Sequence, residues 1–197
     1  METLDHDFPS LAEGVVIPHG IYDLKLNQGY VNLGTSHDTS AFAIDSLRQW
    51  WQAQGRANYP HATSLLILCD GGGSNSSRTT LFKVALAAFA QESGWEVRIA
   101  HYPPYCSKYN PIEHRLFPHV QRACQGVIFT SVELVKELMA KTETKTGLRV
   151  SVNILNRVYE TGRKVSAEVK AKLQVIFDET LPRWNYRIPP VNLGVVI

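Results

Sequence analysis

Apolar and polar positions recur with two different periods along the chain, and each change of period marks an element. Gly20 to Lys25 and Tyr30 to Leu33 are β-prone runs separated by Leu26-Asn27-Gln28-Gly29, whose Asn and Gly suit a tight turn, so a hairpin is predicted. From Thr39, a fit helix cap, the stretch SAFAIDSLRQWWQAQ repeats apolar residues at Phe42, Ala43, Leu47, Trp50 and Trp51 until Gly55 ends it. That spacing predicts an amphipathic helix. Ser64 to Cys69 reads SLLILC with no alternation, which suits a strand covered on both faces better than an exposed edge. Arg78 to Glu92 places Leu81, Ala85, Ala88 and Phe89 on one side of a helix, and Gly94 breaks it before the strand-like Trp95 to Ala100.

Beyond the Pro- and Tyr-rich loop HYPPYCSKYN, the run Asn110-Pro111-Ile112-Glu113 supplies an N-cap, a proline at the first helical position and an acid at the third. A helix is predicted to start there. Thr130 or Ser131 is predicted to cap another, running through Met139, and Ser166 to Phe177 is helical by composition. LPRWNYRIPP reads as a terminal arm. The expected organisation is a single domain over 1–197, with 178–197 as its C-terminal arm.

Composition changes this picture little. With 197 residues, 44% of them hydrophobic, four Trp and no low-complexity block, the chain can bury a real core, which excludes disorder as its main state. A formal charge of +2 permits a nucleic-acid partner without demanding one. Cys69, Cys106 and Cys124 form neither a CxxC pair nor a zinc-ribbon pattern, so reduced thiols in a cytoplasm are expected. No apolar run approaches the roughly 20 residues that span a bilayer, and the opening METLDHDFPS lacks the basic start of a secretion signal. A membrane location is not expected.

Two carboxylates stand out. Asp70 falls where a buried strand meets Gly71-Gly72-Gly73, the edge at which open α/β sheets display their ligand sites, although it equally suits the start of a turn. Glu113 follows after an intervening helix and strand, so a parallel arrangement brings two hard oxygen ligands within reach of Mg²⁺. The bland alternative for Glu113 is the acid of a capping box. DGGGSNSSR has neither the GxxxxGK[ST] nor the GxGxxG spacing of a phosphate-cradling loop, which leaves a nucleotide-binding domain as the weaker choice. His114 and His119 are poorly matched to one helix face and have no third ligand for zinc, while His37 suits a hydrogen-bonding loop position. Lys108, His114, Arg115 and Arg122, with Tyr102, Tyr105 and Tyr109 beside them, suit phosphates and unstacked bases, or else a solvated surface.

Taken together, LLILCDGGGSNSSR, HYPPYCSKYNPIEHRLF and TKTGLRV resemble the Rhodopirellula-type DDE transposases of bacterial insertion sequences, distant relatives of mariner-type enzymes. The likeness extends to HDFP, IPHGIYDLKLNQGYVNLGTSHDT and RWNYRI, and so covers nearly the whole chain. It implies an α/β, ribonuclease-H-like mixed sheet flanked by helices, in which three carboxylates hold two Mg²⁺ or Mn²⁺ ions for cutting and transferring DNA strands at transposon ends. Asp70 matches the second acid and Glu113 the third. The first acid belongs to a strand before HDFP, where only Met1 to Asp5 stand; Asp5, Asp7, Asp23 and Asp38 do not sit in a comparable segment. The resemblance therefore implies a domain lacking its first central strand and inactive in strand transfer by itself, with a homodimer allowed. The competing expectation is a non-catalytic DNA-binding or assembly module.

Overall fold

The computed structural model describes residues 14–191, so Asp5, Asp7 and the HDFP segment lie outside the described residues, as does the end of the expected arm. The chain divides into two compact units, one from Met1–His37 with Pro111–Tyr159 and one from Asp38–Asn110 with Glu160–Ile197. Both are mixed α/β, and in place of one sheet there are two, each mixed.

In the first unit the predicted hairpin forms from β1 (Ile17–Asp23) and β2 (Gln28–Gly34), with Asp23 opposite Gln28. Its turn has a physical cause: Asp23 Oδ1 accepts from the amides of Lys25 and Leu26, both at 3.0 Å, and Asn27 takes the left-handed φ of 53° that asparagine tolerates. Pro18 is tolerated in β1, which is terminal in its sheet among the described residues. β5 (Arg149–Leu155) pairs with β2 in parallel, which makes β2 central and buries it from Gly29 to Gly34.

Helices α4 (Ile112–Arg115), α5 (Phe117–Cys124) and α6 (Val132–Ala140) belong to the same unit. Val31 and Leu33 of β2 and Val150 and Val152 of β5 share one buried cluster with the i, i+4 pairs Leu116/Val120 and Val135/Met139. Ser131 caps α6, accepting from the amide of Leu134 at 3.1 Å. Asn110 is not the expected N-cap, and the alternative reading of Glu113 as the acid of a capping box is not met either. The first helical bond runs from Arg115 N to the carbonyl of Pro111 at 2.9 Å, so Pro111 occupies the cap position and Asn110 lies one residue too early. Leu116, at φ −121° and ψ −64°, then separates α4 from α5.

The second unit begins with α1 (Ser40–Trp50), capped by Thr39 Oγ1 accepting from Phe42 N at 3.2 Å. Gly55 does not end it as expected. The helix passes through a π-helical turn, Trp51–Gly55, into α2 (Arg56–Asn58), and a Cβ on Gly55 would lie 3.0 Å from the Trp50 ring. The small residue is there for that ring. Next come β3 (Ser64–Asp70), α3 (Thr80–Ser93) and β4 (Glu96–Tyr102), with β3 and β4 parallel. Gly94 closes α3 in the left-handed conformation, as its position predicts.

Two expectations in this unit are corrected. Ser166 to Phe177 is helical only over α7 (Ala167–Lys172); Leu173 turns extended, and Ile176–Phe177 forms β6, whose Phe177 ring meets Tyr186 at 6.1 Å. Asn185–Ile188, within the expected arm, is strand β7, antiparallel to both β4 and β6, with Tyr186 and Ile188 buried. The sheet order is β3-β4-β7-β6. Contrary to the covered strand expected from SLLILC, β3 is terminal in its sheet among the described residues, and Leu66 is 60% exposed. Phe42, Phe82, Leu86, Phe89, Val97 and Ile99 are all but fully buried in this unit.

Candidate functional site

Asp70 is the last residue of β3 and is exposed, yet its peptide is held firmly. Across the ladder, Cys69 pairs with His101 and Asp70 with Tyr102. The His101 ring turns back so that Nδ1 stands 2.9 Å from the Asp70 carbonyl oxygen and 3.4 Å from Cys69 Sγ, while Nε2 stands 3.1 Å from the Tyr186 hydroxyl. A carbonyl only accepts, so Nδ1 carries the proton; in the neutral ring Nε2 then accepts from Tyr186. Burial, opposed by the bond to Asp70, pushes the His101 pKa down and keeps the ring in that form. Burial also raises Tyr186 and pushes the Cys69 thiol up to about 12, so the whole cluster is neutral.

The loop after Asp70 is tethered from outside at two points: Ser40 Oγ donates to the Ser74 carbonyl at 2.9 Å, and the Lys83 ammonium donates to the Ser77 carbonyl. Within the loop, Arg78 N donates to Ser76 Oγ at 3.4 Å. Of the three glycines only Gly73 takes a left-handed φ, 53°, and the Asp38 carboxylate lies where its Cβ would come within 3.3 Å. The loop reaches α3 only at Thr80, after a 3₁₀ turn at Gly73–Asn75, so its glycines do not form the helix start of a phosphate cradle.

Glu113 lies in the first unit, in the first turn of α4, and is exposed. Its helix is seated on β1 through Gly20, where a Cβ would come within 2.7 Å of Phe117 and 3.4 Å of Ile112. Neither the Asp70 nor the Glu113 carboxylate is engaged by an ion pair or hydrogen bond among the described residues, so both offer hard oxygen donors of the kind Mg²⁺ and Mn²⁺ take. Among the described residues no three His, Cys, Asp or Glu side chains gather to hold a metal ion.

The other expected residues divide between the units. Lys108, in the second, sits 5.0 Å over the ring of Tyr109; Tyr109 and Tyr105 are exposed, and Tyr105 takes φ 67°. His114, Arg115 and Arg122 are on the first unit, on α4 and α5, and all three are exposed. His37 Nδ1 donates to the Tyr159 carbonyl at 2.9 Å, a loop tether. Asp23 caps the hairpin turn, so it is spoken for. Sequence pattern missed His101 and Lys83, because a lone His in a strand and a lone Lys in a helix carry no local signal; only strand pairing brings His101 behind Asp70.

Cys69, Cys106 and Cys124 are free thiols, and among the described residues no helix is long and apolar enough to cross a membrane. A family model described as the Rhodopirellula transposase DDE domain matches residues 1–190. No curated protein and no solved structure matches the chain. A match over nearly the full length, carried on a mixed α/β chain, means that this protein belongs to the Rhodopirellula transposase DDE domain family.

Proposed function

We propose that the chain is the strand-cleaving and strand-joining part of a DNA transposase, with Asp70 and Glu113 as two ligands of a divalent-metal site. The observation that carries this is the state of Asp70: a carboxylate with no hydrogen bond or ion pair among the described residues, on a peptide fixed by a buried neutral histidine, at the end of a parallel strand. What Mg²⁺ or Mn²⁺ supplies there is activation of an attacking water or 3′ hydroxyl and stabilisation of the departing oxygen. His101 holds the Asp70 peptide, and the Lys83 and Ser40 tethers hold the loop beside it. Lys108, His114, Arg115 and Arg122 take backbone phosphates of transposon-end DNA, and Tyr105 and Tyr109 offer faces to unstacked bases.

The finer reading is a single ribonuclease-H-like domain over 1–197, related to mariner-type enzymes, which works as a homodimer in the cytoplasm. It takes one more strand, bearing the first acid, than the described residues contain. In support, β1 and β3 are each terminal in their own sheets, with an edge that no described strand occupies. Two matched acids in place of three make the chain by itself weak in strand transfer. They also favour a second reading, a non-catalytic DNA-binding or assembly module.

Mn²⁺ binding followed by electron paramagnetic resonance, beside cleavage of labelled duplex carrying the element's ends, separates the two. The catalytic reading expects Mn²⁺ uptake that Asp70→Asn and Glu113→Gln each abolish, with any cleavage lost alongside. Uptake indifferent to both substitutions would overturn it, and salt-sensitive duplex binding that survives Asp70→Asn would then establish the second.

A further inference from the structure

We propose that the first unit carries a phosphate site of its own, apart from the two carboxylates, in a cleft built from the hairpin turn, α4, α5 and the turn before β5. The cleft measures about 360 Å³ and is lined by His114, Arg115 and His119 together with Asn27, Thr144 and Thr146. Among the described residues no carboxylate lines it. That volume suits one phosphodiester with an adjoining sugar, at the small end of the roughly 300–1,000 Å³ of ligand clefts.

The hydrogen-bond inventory of the lining decides the sign of the ligand. Tyr22 Oη donates to Asn27 Oδ1 at 2.8 Å, which orients the amide so that its nitrogen donates to the Thr146 carbonyl at 3.0 Å. One hydrogen of that nitrogen is left over. Thr144 and Thr146 share a single bond at 2.8 Å between their hydroxyls, and Thr144 Oγ1 also accepts from Leu148 N at 3.1 Å. Two hydroxyls carry two protons and their mutual bond uses one, so whichever donates, the other keeps a proton for a ligand. Add the guanidinium of Arg115 and the imidazole of His119, and the described lining combines a cationic fork with spare neutral donors and has no carboxylate among them. An oxyanion fits that lining, whereas a cation would face the Arg115 guanidinium with no described carboxylate to offset it.

The floor is preorganised as well. Asn27 is fixed by the left-handed turn it closes, and Thr144 and Thr146 sit in the TKTGLRV segment, whose Gly147 at φ 90° turns the chain back into β5. The source of the phosphate is the backbone of duplex DNA, an assignment that rests on the transposase reading and names where the first unit grips its substrate. His119, Asn27, Thr144 and Thr146 are thereby added to the DNA-contacting residues.

The test uses the full chain bearing Asp70→Asn, in EDTA, so that neither cleavage nor metal binding enters. Fluorescence anisotropy with a labelled duplex is measured across salt for this protein and for the same protein with Arg115→Gln and His119→Gln, each checked for an unchanged melting temperature. The expected result is binding about tenfold weaker at each sequence tried, with the salt slope reduced by about 0.9 for the one phosphate lost. An added Arg115→Lys variant, retaining charge, recovers part of the slope. NMR of the histidine side chains with inorganic phosphate alone separates the sources. Shifts at His114 and His119 with phosphate, together with unchanged duplex binding by the double variant, would overturn the DNA assignment in favour of a free phosphate. No shift and unchanged binding would overturn the site altogether. Both failures leave the Asp70 and Glu113 reading standing, since that is decided by Mn²⁺ uptake.

Discussion

Nδ1 of His101 lies 2.9 Å from the carbonyl oxygen of Asp70, so a side chain of β4 grips the last peptide of the neighbouring strand, beyond the regular ladder. This geometry separates two jobs that one residue would otherwise share. The Asp70 backbone is fixed by a buried neutral network, and the residue itself is exposed, as the proposed ligand role requires. A metal ligand gains from such a fixed support, because orientation need not be paid again on binding.

His101→Phe keeps a ring of similar width but strands the Asp70 carbonyl and the buried Tyr186 hydroxyl. A loss of about 1–3 kcal/mol is expected at neutral pH. The pH dependence has a definite sign. Burial lowers the folded pKa of His101 below its ordinary 6.5, so on acidification the unfolded chain takes up the proton first and the ring's contribution to stability falls as pH drops below about 6.5. Urea midpoints of both proteins at pH 5, 6 and 7.5 check this: the wild-type advantage should shrink toward pH 5, with the other histidines cancelling in the difference. A difference independent of pH would mean that the ring is not held neutral.

Cys69 should resist thiol reagents in the folded protein. It is 8% exposed and its pKa is pushed up to about 12, chiefly by burial and then by the Asp70 charge, so almost none is thiolate at pH 8. Cys106 and Cys124 are half-buried. Iodoacetamide labelling with peptide mass analysis should modify Cys106 while leaving Cys69 untouched until denaturant is added. Equal rates at both would contradict the packing of His101 against Cys69.

Gly29→Ala tests how tightly the first unit is closed. Its added Cβ would come within 2.4 Å of Leu116 Cδ1 and 3.1 Å of Val150 Cγ2. Leu116 is fully buried and has nowhere to withdraw. Overpacking of this kind costs about 1–3 kcal/mol. Gly14→Ala, with nothing within 4 Å of the added atom, serves as the control and should be neutral to within about 0.5 kcal/mol in the same denaturant titration.

Local signals in the sequence were enough for the hairpin, for the caps at Thr39 and Ser131 and for the stop at Gly94, because each is decided within a few residues of chain. Non-local choices were not legible. SLLILC reads the same whether a strand is flanked or terminal, since periodicity reports faces and not edges. Gly55 looked like a stop, yet its purpose is room for the Trp50 ring one turn away. NYRI resembled an arm because its partner, β4, is more than eighty residues earlier. Asp70 and Glu113 stood out by their surroundings in the sequence, whereas His101 became visible only when β3 and β4 were in register.

The Lys83 tether gives a test of the loop that is independent of catalysis. Its ammonium donates to the Ser77 carbonyl and stands 5.1 Å from the Tyr186 ring centroid, so one side chain ties the loop after Asp70 to the same cluster that holds Asp70 itself. Half-buried, it has its pKa lowered by desolvation, and the charge is kept at a cost that its bond to Ser77 offsets. Lys83→Met retains the apolar stem and removes the ammonium, with both its bond to Ser77 and its approach to the Tyr186 ring. Because the loop's other tether, from Ser40, remains, global stability should change by no more than about 1 kcal/mol, while local opening becomes easier. Arg78, exposed in that loop, is a built-in reporter: trypsin cuts after it only when the segment opens enough to enter the protease. Cleavage at Arg78, followed by mass spectrometry at constant protease, should be several-fold faster in Lys83→Met. A rate unchanged alongside an unchanged melting temperature would show that Lys83 does not hold the loop. A faster rate at Arg78 with no change at other basic sites would show that it holds this loop and little else.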